Sequence, residues 1–230
     1  MKRSAFRKFT HSEKGNPVTD LATADLTALP SIGDVERGTA PPAGNPGLVS
    51  LPLVVAGGFG LGITNTGFVD VPGAAVPILV SATAVGLLVA TIWAAALGQN
   101  VNATVYGTFF GFYASYGALA VGLAHDWFGI AAADAGPATA VWLGSWLVTI
   151  GLLTVLVLRL PWTYPLLLAI VDVALVLLLI GNLADSRVAT QAGGWFVFAF
   201  VALVGYYYVA ALWEETGGRP IPLGRPLVGG

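Results

Sequence analysis

Asp172 is the one ionisable side chain inside a long apolar stretch, Trp162 to Gly181. A bare charge is costly at such a position, so the carboxyl must face protein or water or remain protonated. Two uses fit it: a site for a proton or solute, or a hydrogen-bonded tie between two helices. Tyrosine hydroxyls are the second signal, because Tyr106, Tyr113 and Tyr116 fall at i, i+7 and i+10 and share one face of a helix. A polar stripe on an apolar helix suggests the wall of a pore. Tyr106 and Tyr116 also suit packing or an interfacial aromatic belt, as do Tyr206, Tyr207, Tyr208 and Trp213. Tyr113 lies too deep for the belt, which leaves it as the clearest candidate for a polar contact with a solute.

Other chemistries find little support. The chain has no cysteine, which removes disulfides, thiolate metal sites and cysteine nucleophiles. Its two histidines, His11 and His125, are too far apart to hold a haem or metal, and no triad can be assembled around them. No cofactor or metal site is expected, nor an enzyme. Gly57, Gly58, Gly60 and Gly62 do not form a nucleotide loop, since they follow no strand and adjoin no Lys-Ser/Thr pair. The spacing of four at Gly58/Gly62 and Gly107/Gly111 instead predicts close helix packing. A formal net charge of −2, with no basic cluster among aromatics, excludes a nucleic-acid partner.

The elements that must position these residues are membrane spans. At 56% hydrophobic and 10% charged residues, with a mean hydropathy of +0.80, the chain is more apolar than an ordinary soluble domain. Six apolar segments run Leu48 to Phe68, Ala75 to Leu97, Val105 to Ala124, Pro137 to Leu158, Trp162 to Gly181 and Gly193 to Trp213. At 1.5 Å per residue each covers about 30 Å, enough to cross a bilayer core. Helices are required, because lipid leaves backbone groups no outside partner and the alternation of a barrel strand is missing. The expected fold is therefore an all-α integral membrane domain over 44–216, flanked by a mobile tail at 1–43 and a C-terminal tail at 217–230. The first tail carries polar and charged residues that cannot offset the entropy of ordering, with Ser4, Thr10 and Ser12 as modifiable hydroxyls. Placing the N-terminus in the cytoplasm puts the basic residues of that tail with Arg159, Arg219 and Arg225 inside and leaves only Arg187 outside. That bias predicts both termini to be cytoplasmic, in a multi-pass protein of the plasma or inner membrane.

An ordered set of landmarks accompanies the spans: Asn45-Pro46-Gly47-Leu48-Val49-Ser50-Leu51 before the first, Gly98-Gln99-Asn100 before the third, and Thr108-x-Phe110-x-x-Tyr113 within it. Gly181-Asn182 ends the fifth span and Gly194-Trp195 opens the sixth, which continues to Tyr206, Gly218-Arg219 and Pro222-Leu223-Gly224. From Asn45 to Gly224 this pattern resembles the acetate uptake transporter family, the succinate-acetate permeases. The family's Asn-Pro-Ala-Pro-Leu-Gly-Leu motif is kept here only at its Asn, first Pro and last Leu. The resemblance implies a homo-hexamer with a separate pore in each protomer, carrying acetate, succinate and related short carboxylates. It also implies a constriction of Phe, Tyr and Leu. The Tyr falls on Tyr113, or on Tyr116 if a one-turn gap is placed differently, while the Phe falls on Val54 and the Leu on Val171. Both replacements are shorter, which predicts a wider or less selective gate.

No Arg or Lys lies within the spans to compensate a carboxylate that has lost its water. The burden then rests on neutral donors: the hydroxyls of Tyr113 and Tyr116, the amides of Asn45, Asn65 and Asn182, and N–H groups at helix starts. Alternatively the solute crosses as the neutral acid or together with a proton, a coupling in which a protonatable Asp172 would serve, with Tyr206 a further residue of the substrate path or of coupling. Three functions follow in order: a carboxylate channel or symporter, a channel for neutral solutes such as urea, amides or ammonia, and a non-transporting membrane sensor or assembly protein.

Overall fold

The computed structural model describes residues 44–71 and 73–228; the N-terminal tail expected over 1–43, with its Ser4, Thr10 and Ser12, lies outside the described residues. Six long helices make up the described chain: α1 Gly47–Thr66, α2 Val76–Ala96, α3 Asn100–Ala124, α4 Ala135–Leu156, α5 Thr163–Leu183 and α6 Arg187–Glu215. All six are long and apolar enough to cross a membrane. Successive helices alternate in direction, so the start of α1 and the end of α6 lie at one end of the bundle, termed here the terminal face.

Most boundaries agree with the apolar segments to within two residues, but α3 begins five residues earlier than expected, and α6 begins six earlier and ends two later. The cause is the same at both early starts. Asn100 and Asn102 supply a polar first turn to α3, and Arg187 and Gln191 do so for α6. Hydropathy marks the part of a helix that lies in hydrocarbon, and a polar turn beyond it is still helical. The Ser186 side chain accepts a hydrogen bond from Ala189 N at 3.4 Å, capping α6.

Small residues set how closely the helices approach. Gly58 and Gly62 turn toward Val201 and Phe198 of α6, and at Gly194 an added methyl would lie 2.6 Å from the backbone nitrogen of Thr66. The α1 and α6 backbones therefore meet with no side chain between them. Within α2, residues Leu79–Ala84 form a π-helical stretch, and Thr83 from it donates to the Leu53 carbonyl of α1 at 2.8 Å. Most other hydroxyls in the spans are satisfied by their own helix: Thr91, Thr108, Ser145 and Thr149 each donate to the carbonyl four residues back. They are thereby spent locally.

After α6 the chain turns at Gly217 (φ 89°), and residues 218–228 run back beneath the start of α5. The Trp162 N–H donates to the Arg225 carbonyl at 3.0 Å, and the Thr163 hydroxyl donates to the Leu223 carbonyl at 2.6 Å. The segment read from sequence as a C-terminal tail is thus tied to the bundle as far as it is described.

Candidate functional site

Three cavities lie in succession through the helix bundle. The first, of about 440 Å³, opens among the starts of α1, α3 and α5 and the ends of α2 and α6 at the terminal face. The third, of about 340 Å³, lies among the ends of α1 and α5, the starts of α4 and α6 and the middle of α3. Between them a space of about 30 Å³ shares Phe109 and Phe200 with the first cavity and Leu61, Phe112, Leu175 and Leu178 with the third. The result is an hourglass: two vestibules joined at an aromatic waist.

The waist is built by α3, α5 and α6, with Leu61 from α1: α5 supplies small and aliphatic side chains, α3 and α6 the rings. Phe109 and, one turn further, the adjacent Phe112 and Tyr113 project from α3, and Phe200 meets them from α6. Phe109 and Phe200 stack at 5.8 Å with planes 16° apart, while Phe112 and Tyr113 meet edge to face at 5.1 Å. The fully enclosed unpartnered hydroxyl among the described residues is that of Ser50 in the first vestibule; the Tyr113 side chain is 2% exposed at the waist, and its hydroxyl likewise makes no hydrogen bond to a described residue. A buried hydroxyl without a protein partner retains a donor for whatever occupies the waist.

Most residues singled out from sequence fall along this path. Asn45 and Val54 line the first vestibule, Tyr113 and Val171 line the waist, and Asn65, Tyr116 and Asn182 line the second vestibule. The Asn45 side-chain oxygen accepts from the Gly47 N–H at 3.0 Å, which fixes the entry of α1 and leaves the amide NH2 as a donor. Asn182 instead donates to the Gly136 carbonyl at 2.9 Å, tying the end of α5 to the start of α4.

Two candidates lie off the path. Asp172 follows Val171 by one residue, about 100° around the helix, so when Val171 faces the waist Asp172 turns toward α4. There its Oδ2 accepts from the Thr154 hydroxyl at 2.6 Å, and its buried Oδ1 has no partner among the described residues. Tyr206 lines none of the three cavities; its hydroxyl donates to the Pro222 carbonyl at 2.6 Å and holds the C-terminal segment. Its neighbour Tyr207 does reach the first vestibule and donates to Thr163 Oγ1 at 2.6 Å.

Phe109, Phe112 and Phe200 were not distinguished by sequence, because a phenylalanine in an apolar helix looks the same in a core, against lipid or in a pore. One signal was present: Phe109, Phe112, Tyr113 and Tyr116 share the helical face that the tyrosines alone had marked. These rings also account for a departure from expectation at the gate. Val54 and Val171 are short, yet the waist stays narrow, because phenylalanines from α3 and α6 fill it.

The electrostatics of the path are neutral to acidic. Among the described residues lining the vestibules there is no Lys, Arg or His; the charged side chains are Glu214 in the first and Asp185 in the second. The starts of α1, α3 and α5 gather at the first vestibule and those of α4 and α6 at the second. Each helix start contributes a partial positive charge, so both mouths offer modest attraction to an oxygen-bearing solute without a cationic side chain.

The architecture is that of a known fold. The solved structure described as that of the bacterial acetate channel SatP aligns with a TM-score of 0.71 at 20% identity, over 80% of this chain and all of that one. Among curated proteins no match is found. The sequence model of the GPR1/FUN34/yaaH family matches residues 35–218. That span takes in all six helices and every residue lining the waist, and the chain therefore belongs to the GPR1/FUN34/yaaH family as a multi-pass membrane protein.

Proposed function

We propose that this chain is a transporter of acetate and related short carboxylates, with one path through each chain. The observation that carries the reading is the Tyr113 hydroxyl, an unpartnered donor in a waist otherwise made of phenyl rings and aliphatic side chains. A short carboxylic acid has one polar end and one apolar end, and such a waist offers a partner to each. The relative of known structure is described as an acetate channel, which supports the same solute class here. Asn45 at one mouth and the start of α6 at the other supply neutral donors before and after the waist.

Several finer features belong to the same proposal. Succinate is a second substrate, both termini face the cytoplasm on the strength of the basic-residue bias, and the assembly is a homo-hexamer. Any proton moves with the solute and not through Asp172, which lies between α4 and α5 and away from the path. Uptake of labelled acetate into liposomes, corrected for protein-free liposomes, tests the reading. Saturable uptake that excess succinate suppresses and urea does not is the expected result.

A channel for neutral solutes is the second reading, favoured by the lack of any cationic side chain among the described lining residues. Urea or acetamide flux without acetate flux would establish it. Absence of flux for every solute would favour a membrane sensor or assembly protein.

A further inference from the structure

We infer that the Phe109–Phe200 pair is the moving gate of this path and sets the largest solute that passes, whereas Phe112 and Tyr113 form its fixed wall. The inference rests on the transport reading above and adds to it which rings move, and in which direction.

A waist of about 30 Å³ holds roughly one water molecule, and even acetate, with four heavy atoms, needs more. Passage therefore requires a ring to move. The two halves of the waist differ in what holds them. Phe112 packs against Trp142 at 4.9 Å and Trp146 at 5.6 Å, and both indoles donate to one oxygen, Ser115 Oγ, at 2.9 and 3.1 Å. Ser115 lies three residues beyond Phe112 on α3, so the clamp closes on the same stretch of helix that it braces. Tyr113 stands edge to face against Phe112 and shares that bracing.

The other half has no such support. Phe109 and Phe200 stack on each other across two helices; Phe109 also touches Phe112 and Tyr113 at 6.3 and 6.4 Å, and Phe200 faces Gly58 of α1, but neither ring is clamped by hydrogen-bonded indoles. Both rings also line the 440 Å³ vestibule, so space lies directly on one side of the pair. Val54 lines the same vestibule. Its short side chain leaves room at the terminal face for a displaced ring. The sequence thus has bulky rings at the waist and a small residue beside them, and the pair opens by swinging toward the terminal face.

The test is a size series of labelled monocarboxylates, acetate and butyrate, in liposomes with the wild type, Phe109→Ala, Phe200→Ala, Val54→Phe and the double variant Val54→Phe/Phe109→Ala. The ratio of butyrate to acetate flux does not depend on how much protein is correctly folded. Each alanine variant is expected to raise that ratio about tenfold, the scale on which apolar pockets discriminate by methylenes. Val54→Phe is expected to lower acetate flux severalfold by filling the receiving space, and adding Phe109→Ala to it is expected to restore the flux. Wild-type transport with an unchanged ratio in both alanine variants would overturn the gate and leave the transport reading standing. If the wild type moves no carboxylate, the transport reading fails, and the gate is read separately in the cysteine-free chain. Ala174→Cys places a thiol at the waist. Phe109→Ala must then speed its reaction with a small thiol reagent about tenfold, and an unchanged rate overturns the gate.

Discussion

Helices α3 and α4 are both apolar and long enough to span a bilayer, yet the molecule uses them in opposite ways. Helix α3 turns Tyr106, Phe109, Phe112, Tyr113 and Tyr116 toward the path, from the first vestibule through the waist to the second. Helix α4 reaches the path only near its start, through Thr139, Trp142 and Leu143, and leaves Val141, Val148, Leu152 and Val155 exposed on its outer side. Those exposed valines and leucines suit lipid, where burial against protein is not needed to keep them from water. Length and apolarity therefore identify a span, but the position of aromatic and hydroxyl side chains decides which span lines the cavities. If this contrast is right, substitutions along α3 change what is transported, and substitutions along α4 change how firmly the bundle is held.

Outside the Phe109–Phe200 pair, the largest effect is expected at Tyr113. Replacing it with Ala removes the hydroxyl and cuts back the fixed wall, and flux of bulky carboxylates relative to acetate should rise about tenfold, no more than in the Phe109 and Phe200 variants, in a competition assay. Next is the joint between the two helices: Ser115→Ala removes the shared acceptor of Trp142 and Trp146. Two lost indole bonds should destabilise the protein by about 1–2 kcal/mol, read as earlier unfolding in detergent, and should loosen Phe112 enough to blunt solute discrimination.

Asp172→Asn ranks below these. The amide can still accept from Thr154, so acetate uptake should stay within about twofold and stability should fall by no more than about 1 kcal/mol. Loss of uptake with an intact fold would return Asp172 to the transport mechanism. The smallest effect is expected from Val148→Ala on the outer side of α4, at about 0.5 kcal/mol or less with unchanged flux. A Val148 variant that altered selectivity would break the contrast between the two helices.

Much of the fold was legible in the sequence because a bilayer imposes one rule on every span: about twenty apolar residues with an internally bonded backbone. What hydropathy could not register were the polar first turns of α3 and α6, and the π-helical stretch of α2, which leaves no mark in residue type. Tyr113 could be placed near the centre of a pore wall, since a hydroxyl that deep needs a use. The phenylalanines beside it could not, because nothing in a phenyl ring tells a pore from a core until the contacting helix is known. Asp172 shows the complementary difficulty. Its rarity marked it as important, but only the helical phase relative to Val171 reveals that it faces α4.

The Tyr113 hydroxyl is the centre of the functional account, and Tyr113→Phe tests it with the ring and the packing left in place. The measurement is the concentration dependence of labelled acetate uptake in liposomes of both proteins, with thermal unfolding as the check on folding. Loss of one hydrogen bond to the passing solute predicts acetate uptake lowered about fivefold to tenfold in the variant, with an unchanged unfolding temperature. Equal uptake by the two proteins would contradict a role for that hydroxyl.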